Sequence, residues 1–327
     1  MSAKLAVQTP EDHLLGQWKM SLDLSLAAGE YTTSTCQAYQ RGMGKFLAWC
    51  QENEIEQVSA NTIRRWIADG REQGFKPTSI NSWYAGVRAF FSWAVGNGLL
   101  AHNPTEGVKG VKRRGVGKKH LRDPLTDREM LRLLQQPDIS TPEGKRDHAI
   151  LCLMAFTAMR TVEIQRADVD DLSTVDGLPV LRVQGKGSRE KDEMVVVAHA
   201  KAQEAVYEWL AVREDVPGVD IDAMFVSLSD RNRGKRISTS GIRHLINAYM
   251  KRAGIVERRK TTHSIRHAAI SKVAGRDVLK ARQVARHASL DTTMIYVHEN
   301  DRLTNPGEAF IDYQNDTNGN GESETGP

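Results

Sequence analysis

The stretch 102–124 shows no helical spacing of apolar residues and divides the sequence into two parts of different character. It reads "HNPTEGVKGVKRRGVGKKHLRDP", in which glycines and prolines interrupt any regular element. Its basic residues include Lys109, Lys112, Arg113, Arg114, Lys118 and Lys119. We interpret 102–124 as a basic interdomain linker, which either contacts a polyanion held between two domains or is simply solvated.

The part before the linker, residues 1–101, has the apolar periodicity of α-helices. Three of its segments place apolar side chains three and four residues apart and carry helix-capping residue types at their ends. They are "TCQAYQRGMGKFLAWCQ", "SANTIRRWIADGREQG" and "KPTSINSWYAGVRAFFSWAVGNG". Together with a helix over 11–28, they predict a small four-helix domain whose aromatic residues form the core.

The part after the linker, residues 125–313, mixes helical and strand patterns. Helices are predicted at "LTDREMLRLLQQ" and "GKRDHAILCLMAFTAMR", and then near 200–213, 239–253, 262–274, 277–286 and 290–297. Two β-rich runs, Val180–Gln184 and Met194–Ala198, flank a glycine-rich segment and predict a hairpin. Residues 314–327 are poor in apolar side chains and are predicted to be disordered.

Positive charge is concentrated away from the C-terminal end. Residues 299–327 contain seven acidic residues and one arginine, a net charge of −6, in a chain of 327 residues whose total is +4. The other 298 residues therefore carry +10. This excess of positive charge favours a polyanionic partner, with DNA or RNA as the first candidates. The competing interpretation is that the basic residues only keep the protein soluble.

Nothing in the sequence indicates a membrane or secreted protein. No apolar run approaches the length of about 18 residues that a membrane span needs, and the N-terminus lacks the pattern of a secretory signal. The three scattered cysteines, Cys36, Cys50 and Cys152, are typical of free thiols in a reducing cytosol. We therefore expect a cytoplasmic location and no membrane partner.

A histidine and a tyrosine lie nine residues apart in "RHASLDTTMIYVHEN", at positions 287 and 296. On one unbroken helix they would point to opposite faces, because nine residues make two and a half turns. The intervening Ser289, Asp291 and Thr292 are residue types that end and restart helices. We therefore predict a helix that ends near His287, a turn, and a short helix that carries Tyr296.

Two further pairs combine charges at helical spacing. "THSIRHAAISKV" places His263 and Arg266 three residues apart, so that both can face one phosphate. "FTAMRTVEIQ" ends an apolar helix with Arg160, and Glu163 follows three residues later. A buried arginine needs a partner, which makes Glu163 either its structural partner or a member of the same site. Taken singly, each pair is more often a surface feature or a structural ion pair.

Together these residues resemble the tyrosine recombinase family of phage integrases and Xer-type recombinases. The family pattern is an arginine followed by a glutamate, a hairpin lysine, a His-x-x-Arg, and a Gly-His followed by a tyrosine nine residues later. The matching positions are Arg160 with Glu163, Lys186 in "GKG", His263 with Arg266, and His287 with Tyr296. Two departures are Arg286 and Ala158, where the family usually has glycine.

The resemblance implies a fold and a set of catalytic roles. The fold is mainly α with a small β-hairpin or sheet: a SAM-like core-binding bundle and an α+β catalytic domain that form a C-shaped clamp on DNA. Tyr296 is implied as the nucleophile, His263 as its general base and Lys186 as the acid for the leaving group. Arg160, Arg266 and His287 are implied to bind the phosphate, with Glu163 in a supporting role.

The implied activity is site-specific DNA recombination through a 3′-phosphotyrosyl intermediate, with neither a metal nor another cofactor. Four protomers would act on two sites of double-stranded DNA, and a C-terminal helix, with Phe310, Ile311 and Tyr313 in "NPGEAFIDY", would pack on a neighbouring protomer. An accessory protein that sets directionality is a further implied partner, and a bacterial nucleoid the implied location. The alternatives are a catalytically silent DNA-binding regulator of the same fold and a type IB topoisomerase. The competing tyrosines, Tyr207 and Tyr249, lie in patterns that predict core positions.

Overall fold

A computed structural model describes residues 3–4, 10–112, 123–185, 190–287, 289–294 and 296 of the chain. The chain falls into two compact units, residues 1–117 and 118–327, each with its own hydrophobic core. The predicted C-terminal helix and tail, and residues 113–122 of the predicted linker, lie outside the described residues. Among the described helices, none is long and apolar enough to cross a bilayer.

The first unit is built mainly of helices, as the sequence predicts. Its elements are β1 (Ala3–Lys4), α1 (Pro10–Ala28), α2 (Thr33–Glu52), β2 (Gln57–Val58), α3 (Ala60–Glu72) and α4 (Pro77–Gly96), with β1 and β2 paired antiparallel. Capping explains where two helices begin, because the Thr32 and Ser59 side chains accept backbone N–H groups at the starts of α2 and α3. The predicted aromatic core is confirmed, with Trp18, Phe46, Trp66, Tyr84, Phe90 and Phe91 among its buried residues.

Two glycines allow α2 and α4 to pack with their backbones in close contact. A β-carbon at Gly42 would lie 2.4 Å from the carbonyl oxygen of Trp83, and one at Gly86 would lie 2.3 Å from the carbonyl oxygen of Tyr39. Both neighbours are backbone atoms, which a larger side chain could displace only by moving a helix. Even alanine at either position would therefore push the two helices apart.

Part of the predicted linker packs against α4. The Tyr84 hydroxyl donates to the backbone carbonyl oxygen of Val108 at 2.9 Å, and Val108 itself is buried. The Asn81 side chain donates to the carbonyl oxygen of Val111 at 3.1 Å and accepts the Val111 N–H at 2.8 Å. Residues 105–111 thus belong structurally with the first unit, while the predicted domain limits remain predictions.

The second unit combines helices with a small sheet. Its helices are α5 (Asp127–Leu134), α6 (Pro142–Thr157), α7 (Thr161–Arg166), α8 (Ala200–Arg213), α9 (Thr239–Arg252), α10 (Thr262–Ala274), α11 (Val278–Ala285) and α12 (Leu290–Met294). Its strands are β3 (Leu172–Val175), β4 (Leu178–Val183) and β5 (Glu193–Val196). The strongly apolar α6 is buried, as predicted, and its residues 149–154 lie in the core.

The sheet has one strand more than the predicted hairpin. β4 and β5 are the predicted pair, aligned with Val180 opposite Val196, and β3 adds to the other edge of β4 with Leu172 opposite Leu181. Asp176 and Gly177, both with positive φ, form the two-residue connection between β3 and β4. An Asp-Gly pair is a strong hairpin signal, which the prediction of a single hairpin overlooked.

Small residues position the elements that carry the candidate site. Ala158, at the end of α6, packs with Ala274 of α10 and with Ala281 and Ala285 of α11 in a satellite core that also contains Tyr296. Because alanine side chains are short, the ends of these helices approach closely. The tyrosine is thereby placed against the C-terminal ends of α6 and α11.

Candidate active site

One buried carboxylate holds Arg160 through both its backbone and its side chain. Ala158 ends α6 in the left-handed region, at φ 54°, and turns the chain so that Arg160 caps the start of α7. The Arg160 backbone N–H donates to Glu163 Oε2 at 2.7 Å, and Arg160 Nη1 donates to Glu163 Oε1 at 2.6 Å. Glu163 is buried, yet 25% of the Arg160 side chain remains exposed, so part of this guanidinium can reach a ligand.

Arg266 is a fully buried cation held between two helix ends. It is 1% exposed, and its two terminal nitrogens donate to the carbonyl oxygens of Ala158 and Ala285, the C-terminal ends of α6 and α11. Helix C-termini carry partial negative charge, which stabilises a guanidinium there. Burial, together with the nearby Arg160 and Arg286, lowers the pKa of Arg266 to about 9. The side chain is therefore still charged at neutral pH, and an anion would stabilise it further.

The predicted break between the histidine and the tyrosine is confirmed. Helix α11 ends at Ala285, Arg286 follows in the left-handed region at φ 50°, and α12 occupies Leu290–Met294. Tyr296 lies in a turn just after α12, so the prediction that this helix carries it is wrong by two residues. The Tyr296 N–H donates to the Thr293 carbonyl oxygen at 2.9 Å. The break brings the His287 and Tyr296 rings to 5.8 Å between centroids, although one continuous helix would have separated them.

Tyr296 lies in a largely apolar pocket beside two imidazoles and near two arginines. It is 4% exposed, and its ring centroid is 4.9 Å from that of His267. Burial raises the pKa of Tyr296, while Arg266 and Arg160 act in the opposite direction. The phenol is therefore protonated at neutral pH and needs a base before it can attack. A histidine can supply that base, and the rings of His267 and His287 lie next to Tyr296.

The two predicted phosphate-facing residues of α10 have different environments. Arg266 is buried, whereas His263, three residues earlier, lies on the exposed side of the first turn. His267 is fully buried, and its Nδ1 lies 3.4 Å from Ser271 Oγ. Sequence reasoning missed His267, although it follows Arg266 directly. It also missed Thr293, whose buried hydroxyl lies 3.1 Å from His287 Nδ1.

Of the two hairpin lysines, the structure describes Lys191. Its ammonium pairs with Asp168 at 2.6 Å and with Asp171, and the Asp168 carboxylate also binds Arg236 at 2.5 Å. Lys191 is thus held in an ion-pair network at the base of the hairpin. Lys186 lies outside the described residues.

The predicted DNA-binding residues of the linker are only partly described. Lys109 and Lys112 are exposed, as a contact with DNA requires. Arg113, Arg114, Lys118 and Lys119 lie outside the described residues. Their predicted contacts with DNA therefore stay predictions.

The competing tyrosines lie in other environments. Tyr249 is buried and its hydroxyl donates to Asp147 Oδ2 at 2.9 Å, so that burial and this carboxylate raise its pKa. Tyr207 on α8 is 50% exposed, so the prediction that it is a core residue is wrong. The reason is that Tyr207 follows the buried Ala205 and Val206 on α8 but points to the solvent side of the helix.

Comparison with known proteins supports the resemblance to phage integrases over both units. Residues 124–302 match the phage integrase family, and residues 23–98 match the N-terminal SAM-like domain of phage integrases. The tyrosine recombinase XerC of Thermodesulfovibrio yellowstonii is 30% identical over 274 residues, which cover 82% of this chain and 86% of that protein.

Solved structures of site-specific recombinases share the fold. A post-cleavage complex of XerH with its palindromic difH substrate has a TM-score of 0.67 at 19% identity, covering 84% of this chain and 79% of that one. A lambda integrase tetramer bound to a Holliday junction has a TM-score of 0.62 at 16% identity, covering 88% and 77%. The family match spans more than half of the chain and contains Arg160, Arg266 and Tyr296. The chain belongs to the phage integrase family and is a tyrosine recombinase.

Proposed function

We propose that this tyrosine recombinase cleaves DNA by attack of Tyr296 on a phosphodiester held by Arg160 and Arg266. The buried Tyr296 ring supports this proposal, because it packs in one cluster with Ala158 and Ala285, whose carbonyl oxygens hold Arg266. The phenol oxygen forms a bond to phosphorus and the bond from phosphorus to the 5′ oxygen breaks. The products are a 3′-phosphotyrosyl link and a 5′-hydroxyl, and the number of phosphoester bonds is unchanged. Rejoining reverses the step with the 5′-hydroxyl of another strand.

The two arginines act on the charge that develops at phosphorus. The partly exposed Arg160 presents N–H groups to one non-bridging oxygen, while Arg266 supplies a buried positive charge behind it. Preorganised donors of this kind typically contribute about 10²–10³-fold each to a rate. Glu163 keeps Arg160 in place by accepting from its backbone and its side chain. His287 can add a further hydrogen bond, since it follows directly on the end of α11.

Tyr296 can move without disturbing Arg160 and Arg266. Arg266 is anchored on α6 and α11, whereas Tyr296 follows α12 on the far side of the break after His287. The phenol is buried in the structure, so attack on DNA requires it to leave its pocket. Such a movement breaks the packing of the ring against His267 and the satellite core, while the break after His287 lets α12 move separately from α11.

Lys186→Ala is expected to impair cleavage by removing the proton donor for the 5′ oxygen. A substrate with a 5′-phosphorothiolate at the scissile bond should restore the rate, because sulfur leaves without being protonated. The matched control is Lys191→Ala, which breaks the ion pairs with Asp168 and Asp171. If Lys191→Ala slows cleavage, the 5′-phosphorothiolate substrate should not restore its rate. Single-turnover cleavage of both substrates measures this, and rescue of Lys191→Ala in place of Lys186→Ala would exchange their roles.

His263→Ala is expected to change the shape of the pH–rate profile. With an imidazole base, the rate should level off above about pH 6.5, where histidines are generally neutral. Without that base the rate should keep rising past about pH 10, the ordinary pKa of tyrosine, since burial raises the pKa of Tyr296. The control is His244→Ala, an exposed histidine on α9. If the His263→Ala profile runs parallel to that of the wild type, His263 is not the base.

We propose further that DNA is held by both units, with the exposed Lys109 and Lys112 among the residues that contact its backbone. Four protomers would assemble on two sites, as the lambda integrase tetramer of the same fold does on a Holliday junction. The chain would act on the bacterial nucleoid in the cytoplasm, with an accessory protein to set the direction of recombination.

Truncation after Asp301 is expected to leave binding to one site intact but abolish cooperative binding and two-site recombination. It removes 304–313, whose Phe310, Ile311 and Tyr313 we propose to pack on the neighbouring protomer. Truncation after Tyr313 is the control and should recombine normally. Gel shifts and a two-site assay measure both. Recombination by the shorter chain at the full rate would show that the segment plays no part in assembly.

A further inference from the structure

Arg286 occupies a backbone position that disfavours its side chain. It caps α11 in the left-handed region, at φ 50°. Non-glycine residues are uncommon in that region, because the β-carbon crowds the backbone. Its neighbours are Ala285, whose carbonyl accepts from Arg266, and the site residue His287. Contacts of the side chain must therefore offset the cost of this backbone conformation.

The Arg286 side chain turns into the site and binds the carboxylate that holds Arg160. It is 7% exposed, and its Nη2 donates to Glu163 Oε2 at 2.5 Å. Glu163 Oε2 also accepts the Arg160 backbone N–H. Glu163 is therefore shared between two arginines, and Arg286 restricts where its carboxylate can lie.

Arg286 also faces a second carboxylate. Its Nε lies 3.4 Å from Oε2 of Glu193, the first residue of β5, and both atoms are buried. The two atoms form an ion-pair contact without the geometry of a hydrogen bond. The other Glu193 oxygen, Oε1, would lie 2.6 Å from a β-carbon at Gly185. The Glu193 carboxylate thus sits between the Gly185 backbone and Arg286.

Charge balance explains why Glu193 needs Arg286. Arg160, Arg266 and Arg286 with Glu163 and Glu193 make an interacting group whose formal net charge is +1. Without Arg286 the group would be neutral, and Glu193 would add negative charge next to the position of a DNA phosphate. The Arg286 side chain is 7% exposed and the Glu193 side chain 35%, so that water screens their interaction only in part. Replacing Glu193 with glutamine would restore the net charge of +1.

We propose that Arg286 is a positioning residue for Arg160 and Arg266, the two arginines proposed to bind the phosphate: it fixes Glu163 on Arg160 and offsets the charge of Glu193. The inference rests on the proposed function, because it requires that Arg160 binds the scissile phosphate. It concerns residues that do not react themselves.

The test is a double-mutant cycle of Arg286→Gly, Glu193→Gln and the two combined. Glycine suits the left-handed backbone, so the substitution should not unfold the chain. Single-turnover cleavage at saturating DNA should be about 10-fold or more slower for Arg286→Gly and within about 3-fold of wild type for Glu193→Gln. The double variant should be clearly faster than Arg286→Gly but slower than Glu193→Gln, because the glutamine restores the net charge and not the contact with Glu163. DNA affinity and melting temperature should change little across the cycle.

A substrate with a neutral methylphosphonate at the scissile position separates the charge effect from a purely structural one. A structural defect would slow cleavage of this substrate and of the normal one equally. The defect of Arg286→Gly should shrink on it, since there is less charge to stabilise. A double variant as slow as Arg286→Gly, an Arg286→Gly variant as fast as wild type, or a large fall in its melting temperature would each overturn the inference. Failure of the wild type to cleave through Tyr296 in the same assay would instead overturn the proposed function.

Discussion

Replacing Tyr296 with phenylalanine is expected to abolish covalent attachment to DNA while leaving DNA binding intact. The substitution removes only the hydroxyl, and the ring keeps its contacts with His267 and with the alanine-lined pocket. Loss of a nucleophile typically lowers a rate by about 10⁴-fold or more, to the limit of detection. The measurement is a nicked duplex that traps the covalent complex, resolved on a denaturing gel, with a gel shift for binding.

The controls for this variant are the two competing tyrosines. Tyr249→Phe deprives the buried Asp147 of a hydrogen bond, which should cost about 1–3 kcal/mol of stability. It should nevertheless still form the covalent complex once folded. Tyr207→Phe changes an exposed residue and should behave as the wild type. An adduct formed by Tyr296→Phe and lost in either control would assign the nucleophile elsewhere.

Arg266→Ala is expected to have the second-largest effect, on both cleavage and stability. Removing the guanidinium takes away a positive charge behind the phosphate, which should slow cleavage by about 10²–10³-fold. It also leaves the carbonyls of Ala158 and Ala285 without these donors, at about 1–3 kcal/mol each if no water replaces them. Cleavage must therefore be measured well below the melting temperature of the variant.

Arg213→Ala is the matched control for Arg266→Ala. Arg213 is also buried, at 3%, and its guanidinium donates to the carbonyls of Ala223, Asp220 and Ile221. None of these carbonyls belongs to the site, so this variant should lose stability and keep its cleavage rate below its melting temperature. If both arginine variants cleave equally well when folded, Arg266 serves only to join α6 and α11.

The sequence predicts well those features that depend on neighbours along the chain. The break after His287 follows from the helical repeat, and the Arg160–Glu163 pair follows from a spacing of three residues. The buried α6 and the strands β4 and β5 follow from apolar periodicity. The strand β3 could also have been found, because Asp176 and Gly177 mark its connection to β4.

Features that depend on contacts between distant segments could not be predicted in this way. Arg286 and Glu163 are far apart in sequence and meet only because α11 ends beside the start of α7. The anchoring of Arg266 depends on two helix C-termini that the fold brings to the same place. Both departures from the family glycines, Ala158 and Arg286, are found at left-handed positions. The glycines of the family pattern suit this backbone conformation, and arginine at the second position places a charged side chain within the site.

The most direct test of the account is to identify the residue that becomes joined to DNA. The wild-type chain would be incubated with nicked duplexes that carry the DNA site the protein selects from a random-sequence pool. The covalent complex would then be digested with trypsin and nuclease, and the nucleotide-bearing peptide sequenced by mass spectrometry. We predict a single adduct, at Tyr296, linked to a 3′-phosphate. Attachment at Tyr207 or Tyr249, a 5′-linked adduct, or the absence of any adduct on DNA that the protein binds would contradict the account.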